Sequence, residues 1–145
     1  MPMQIRLSLH NASEDFVNLT EFATEFSRQH QLPDEERARL LVILDELFTN
    51  VVKYGYDGAA AEGHIDVALS LQGGRLIIEF VDDGRQFDPL ASAAPDLDLP
   101  AEDRSLGGVG LAIVRALVDE IGYQWDGNRN RLTLGRNVVP PPEIR

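Results

Sequence analysis

The sequence predicts an α+β fold: a two-layer sandwich in which a mixed, mainly antiparallel sheet carries helices on one face. Three observations carry that prediction. Segments of strand-type alternation are joined by tight glycine turns, which makes hairpins and rules out an all-parallel sheet. Two longer segments, ending near residues 30 and 54, space their apolar residues as helices do. The order is strand, two helices, two strands, loop, helix, two strands, which sets helices as one layer beside a sheet. With 145 residues, 43% of them apolar, the chain has material for one domain and one sizeable core. The expected division is a folded unit over 1–138 and a proline-rich tail over 139–145.

The elements follow in order. Residues 4–9 alternate, with Ile5, Leu7 and Leu9 on one face. Asn11 or Ser13 is placed to cap a helix running to about residue 30, with Phe16, Leu19, Phe22, Ala23 and Phe26 at helical spacing. Leu32-Pro33-Asp34 breaks that pattern, and a second helix follows over 33–54, stopped by Gly55. Residues 56–63 are small and glycine-rich, which makes a loop. Residues 64–71 alternate through Ile65, Val67, Leu69 and Leu71; Gly73-Gly74 turns the chain; 75–81 form the partner strand. Asp82-Asp83-Gly84 ends it. Residues 89–106 have no period and contain three prolines, four acids and one arginine, the marks of a lid or binding loop. Gly107 to Gly110 lead into a third helix over 111–120, closed by Gly122. Strands over 122–126 and 131–136, joined around Gly127-Asn128, complete the unit.

Charge narrows the function. Twenty-four acids against 13 basic residues give a net charge of −11, a surface that nucleic acid phosphates and anionic membranes both repel. Without cysteine there is no disulfide, thiolate metal site or cysteine nucleophile. The start, MPMQIRLSLH, lacks the basic head and apolar run of a signal peptide, and no apolar stretch approaches the ~20 residues that span a bilayer. The expected setting is cytoplasmic. His10, His30 and His64 are scattered without metal-ligand spacing, and no Gly-x-Ser-x-Gly elbow occurs.

The second helix presents an unusual flank. At 100° per residue, Leu40, Leu44, Leu47, Phe48 and Val51 share the sector that faces the sheet. Glu46, Asn50 and Lys53 fall together beside it, and Lys53 is the only lysine of the chain. Two readings stand: a solvated helix flank, or a cation–phosphate site. In the second, the Asn50 oxygen suits Mg²⁺, which keeps waters and substrate phosphates around few protein ligands. Glu46 would then orient or deprotonate a hydroxyl or water.

Two glycine turns are equally double. Asp82-Asp83-Gly84 is either an ordinary turn or a carboxylate for a ligand's exocyclic amine, with a glycine that lets a flat ring approach the backbone. Gly107-Gly108-Val109-Gly110-Leu111 is either a hinge or the N-terminal anion site of a helix. It is neither a Walker loop nor a dinucleotide fingerprint, since Gly-Lys-Ser/Thr is absent and position 113 is Ile.

Taken in order, Glu46-Leu-Phe-Thr-Asn50-Val-Val-Lys53-Tyr54-Gly55-Tyr56, then Asp82-x-Gly84 with Phe87-Asp88-Pro89, then Gly108-x-Gly110-Leu111, resemble the gyrase/Hsp90/histidine-kinase/MutL (GHKL) ATPase superfamily and its Bergerat fold. The resemblance covers about residues 5–136. The short chain and the Phe-Asp-Pro look like the anti-sigma factor/serine-protein kinase branch. It implies an ATP-binding regulator that phosphorylates a STAS-type anti-anti-sigma partner or binds a sigma factor, with Mg²⁺ as cofactor. Alternatives are a nucleotide-dependent switch without transfer, or the ATP-binding domain of a histidine kinase. Glu46 would be the catalytic base and Asn50 the Mg²⁺ ligand. Asp82 would read the adenine amine above Gly84, and Gly108 and Gly110 would cradle phosphate. Lys53, Phe87 and Leu111 join the implied nucleotide site. Arg104 and Ser105, at the end of the lid, are placed to reach the terminal phosphate. A homodimer through the first strand and neighbouring helix is also implied. The chain departs from the family pattern at Tyr54, where His is frequent, and at Asn130, where many members have Thr; here a Thr follows only at Thr133.

Overall fold

The computed structural model describes residues 4–10, 14–55, 63–90 and 108–138. Along the chain these form β1 (Ile5–His10), α1 (Asp15–Gln29), α2 (Asp34–Tyr54), β2 (His64–Gln72), β3 (Arg75–Asp82), α3 (Gly108–Leu117), β4 (Glu120–Trp125) and β5 (Asn130–Asn137). The strands order as β1-β2-β3-β5-β4, and every pairing among the described residues is antiparallel. The sheet expected to be mixed and mainly antiparallel is thus antiparallel throughout its described part.

Register decides which face is buried. Ile5, Leu69, Ile78 and Leu134 lie opposite one another, as do Leu7, Val67, Phe80 and Leu132. These rows point toward the helices, where Leu19, Ala23 and Phe26 of α1 and Leu40, Ile43, Leu44, Leu47 and Phe48 of α2 close the core. Each such large side chain, fully buried, stabilises the fold by ~1.5–3 kcal/mol. The other sheet face carries polar pairs, Arg131 with Glu79 and Arg129 with Asp66. It also brings His10 beside His64, ring centroids 5.4 Å apart. The histidines are therefore not all scattered: β1–β2 register joins two that lie far apart in sequence. Among the described residues no group of three or more His, Asp or Glu side chains is arranged to hold a metal. No helix of the described residues is long and apolar enough to cross a membrane.

Helix ends follow local chemistry. The cap expected from Asn11 or Ser13 lies outside the described residues. Within them, Asp15 opens α1 and its Oδ2 accepts the His10 backbone N–H at 2.7 Å. α1 closes with Gln31 at φ 54°, Leu32 N–H reaching Ser27 O at 2.9 Å and Gln31 N–H reaching Arg28 O at 3.2 Å, a Schellman ending without glycine. α3 runs over Gly108–Leu117 rather than 111–120. Its early end has a cause: Arg136 Nη1 donates to Leu117 O at 2.6 Å, and the Asp119 N–H already donates to Gly135 O at 2.8 Å. β4 consequently begins two residues before the expected position. Arg136 also grips Glu36, a carboxylate only 1% exposed in the first turn of α2, so α2, α3 and β5 are clamped at one point.

Candidate active site

A cleft opens between α2, the start of α3 and the ends of β3 and β5. Its walls are apolar, from Leu47, Val51, Phe80, Phe87, Leu111 and Leu132; its polar groups are Asn50, Asp82, Arg85 and Asn130. The space enclosed between them is small, about 30 Å³, and the cleft is open to solvent above it.

α2 supplies Asn50 because residues 47, 50 and 51 turn toward the cleft from one side of the helix. The Asn50 amide has no hydrogen-bond partner among the described residues. Glu46 stands one turn earlier and meets α3 at Gly110: a methyl on Gly110 would overlap Glu46 Oε2. The cleft and the α3 N-terminus thus border one carboxylate and one amide. Lys53 does not join them. It is exposed and lines a separate groove with Phe16, Phe48 and Val52 on the α1 side. That corrects the placement expected from the helical wheel: Lys53 lies about 60° around the axis from Asn50, on the side that turns to α1. Its charge sits instead in the last turn of α2, where it suits the helix dipole.

Asp82 ends β3 and is 6% exposed. Its Oδ1 accepts the Gly84 N–H at 2.9 Å and Asn130 Nδ2 at 3.0 Å. Burial pushes its proton affinity above the usual carboxylate range, the two hydrogen bonds pull it back, and the charge of Asp83 raises it again. Both described hydrogen bonds use Oδ1, which leaves Oδ2 for a ligand in the cleft. Gly84 packs on Gly55: a Cβ at 84 would lie 2.6 Å from Gly55 O. Phe87 forms a wall, and its N–H donates to Asn130 Oδ1 at 3.0 Å.

Gly108 and Gly110 stand in the first turn of α3, and Leu111, 5% exposed, faces the cleft. The first N–H groups of a helix have no partner within it, so this end favours an anion. Of the loop expected over 89–106, only 89–90 are described; Arg104 and Ser105 lie outside the described residues. Thr133 is exposed on the far face of the sheet.

Sequence reasoning located Asn130 without giving it a role, read Gly55 as the stop of the second helix and part of the first motif, and gave Tyr123 and Arg85 no role. Asn130 is 5% exposed and sits opposite Asp82 in the β3–β5 register. Its Nδ2 also donates to Arg85 O at 2.8 Å, and its Oδ1 accepts the Tyr123 hydroxyl at 2.6 Å. The signal was there in the alternation Asn130, Leu132, Leu134, which continues the buried row to a polar residue.

An apolar slot with a buried carboxylate at a strand end, an open amide on a helix and a glycine-opened helix is the arrangement of an ATP-binding α+β domain. The sequence profile of the histidine kinase-like ATPase domain matches residues 9–136, and the chain belongs to that family of ATP-binding domains. It is 27% identical over 105 residues, 72% of each chain, to the serine/threonine-protein kinase BtrW of Bordetella bronchiseptica. It is 23% identical over 119 residues to an anti-sigma F factor of a Thermoanaerobacter species, covering 82% of this chain and 80% of that one. The fold superposes with a TM-score of 0.70 on the crystal structure of the RsbU and RsbW domains of Rv1364c from Mycobacterium tuberculosis, at 18% identity. That match takes in 99% of this chain and 34% of the longer one. The superfamily resemblance drawn from the three motifs is borne out, and the relatives carry the names of its anti-sigma factor and serine kinase branch.

Proposed function

We propose that this chain is a regulatory serine/threonine protein kinase of the anti-sigma type, which binds Mg·ATP in the cleft and phosphorylates a STAS-type anti-anti-sigma partner. One observation carries the reading: Asn50 of α2 and Asp82 of β3 face the same cleft, with Glu46 at its border. The relatives named kinase and anti-sigma factor support it.

The residues fit the implied ligands. A lone Asn oxygen is the kind of ligand Mg²⁺ takes when phosphates and water complete its shell. Leu47, Val51, Phe87 and Leu132 offer apolar area to a base, and Oδ2 of Asp82 accepts an exocyclic amine. Gly108 and Gly110 leave the α3 N-terminus bare for phosphate. When bound, Mg·ATP supplies the phosphoryl group and the charge that neutralises it. Glu46 accepts the proton of the incoming serine or threonine hydroxyl as that oxygen bonds to the γ-phosphorus and the bond to the β-phosphate oxygen breaks. The rest of catalysis is positioning. A sigma factor is the second proposed partner, and two copies of the chain the proposed assembly.

The test is incubation with Mg·ATP and the STAS partner. Phosphoserine or phosphothreonine is expected on the partner. Glu46→Gln should bind ATP and slow transfer by about 100-fold or more. ATP bound and never transferred to any STAS partner would leave a binding switch instead.

A further inference from the structure

We propose that Asn130 is the positioning residue for base selection: it holds Asp82 so that Oδ2 alone meets the base, and makes no contact with the base itself. This rests on the adenine-nucleotide reading of the cleft. The supporting observation is saturation. An Asn side chain has two N–H donors and two acceptor lone pairs. In Asn130 all four are used, on Asp82 Oδ1 and Arg85 O from Nδ2, and by Phe87 N–H and the Tyr123 hydroxyl at Oδ1. The amide cannot be flipped, because Oδ1 would then face two acceptors, Asp82 Oδ1 and Arg85 O, and Nδ2 would face the Phe87 N–H. Nothing remains on Asn130 to reach a ligand.

Its effect therefore passes through Asp82. Gly84 N–H and Asn130 Nδ2 both occupy Oδ1, which fixes the carboxylate plane and offers Oδ2 to the cleft. A donated hydrogen bond favours the ionised form, and an ionised carboxylate only accepts. It meets the amine at position 6 of adenine and repels the carbonyl at that position of guanine. Asp83 and Arg85 on the same turn, His64 of β2 against Asp83, Asp88 beyond the turn and Tyr123 from β4 are the titratable groups around this pair among the described residues. Among the described residues α2, its C-cap and α3 line the cleft with Leu47, Asn50, Val51, Gly55 and Leu111, none of them charged, and Glu46 of α2 stands at its border against Gly110.

Asn130→Asp separates this role from simple support of the 85–87 turn. The variant keeps both acceptors for Phe87 N–H and Tyr123 and replaces the donor by a second carboxylate beside Asp82. Two such carboxyls share a proton. Calorimetric titration with Mg·ATP and Mg·GTP should find, at about pH 8, ATP affinity reduced about tenfold or more and the preference over GTP narrowed. On acidification to about pH 5.5 the shared proton restores the donor and ATP affinity recovers, while wild type gains nothing. Wild-type affinity for N130D throughout, or a loss that no acidification repairs, overturns the proposal. Should N130D not fold, the side-chain amide signals of Asn130 in wild-type NMR spectra carry the test. They should shift when ATP loads Asp82, and unmoved signals overturn it. Wild type that binds no ATP removes the underlying nucleotide reading, a failure visible before any variant is made.

Discussion

The backbone N–H of Arg85 donates to the carbonyl of Gly55 at 2.8 Å. That bond sews the residue after α2 to the turn after β3. It ties together the two segments from which Asn50 and Asp82, 32 positions apart, open onto one cleft. Gly84 lies under the same seam, with no room for a side chain against Gly55 O.

Gly84→Ala should therefore damage both fold and site. Backbone cannot yield as a flexible side chain can, so a loss of about 1–3 kcal/mol of stability is expected. Denaturant unfolding should read it, and calorimetry should find ATP affinity reduced with it. A variant with unchanged stability and binding would mean that the seam opens freely.

Asp82→Asn should trade binding for stability. Burial raises the proton affinity of this carboxyl in the folded state, so the folded protein disfavours its charge. Asp82 therefore costs stability progressively as pH rises from its ordinary value of 3.8 through its raised folded value, and the cost persists above that window. At neutral pH the unliganded Asn variant should melt at or above the wild-type temperature. Below the window the advantage should vanish. ATP should raise its melting temperature less than it raises that of wild type.

Gly110→Ala should act on Glu46. The added methyl overlaps Oε2, and the glutamate must rotate away from the start of α3. Phosphotransfer to the partner should fall about tenfold or more, since general-base catalysis depends on hydrogen-bond reach. ATP affinity should fall less than the rate. Equal losses in both would assign Gly110 to phosphate binding alone.

Glu36→Gln should destabilise without touching the cleft. Glu36 is buried between Arg39 and Arg136, and Arg136 is held charged chiefly by its hydrogen bond to Glu36. Removing one charge of a buried pair costs about 3–5 kcal/mol. Denaturant unfolding should show that loss, and ATP affinity of the folded protein should stay at the wild-type value.

Much of this was legible in the sequence where the signal is periodic. Alternation at 64–71 and 75–81 and the Gly73-Gly74 turn gave β2 and β3, and the spacing of Leu40, Leu44 and Leu47 gave the buried side of α2. The end of α3 was less legible, because it depends on Arg136 reaching Leu117 O from β5, a contact no local pattern encodes. Lys53 was misjudged for a related reason: a wheel gives an angle, and the neighbour on each side of that angle is tertiary. Asn130 looked like a departure from a family pattern. Only the register against Asp82 reveals four hydrogen bonds that use up its amide.

The most direct test of a single adenylate cleft is calorimetric titration of ATP and GTP with Mg²⁺ against wild type, Asn50→Ala and Asp82→Asn. ATP should bind wild type well above GTP, Asn50→Ala should lose the Mg²⁺-dependent part of the affinity, and Asp82→Asn should lose the adenine preference. Equal binding of ATP and GTP by wild type, or an undiminished preference in Asp82→Asn, would contradict it.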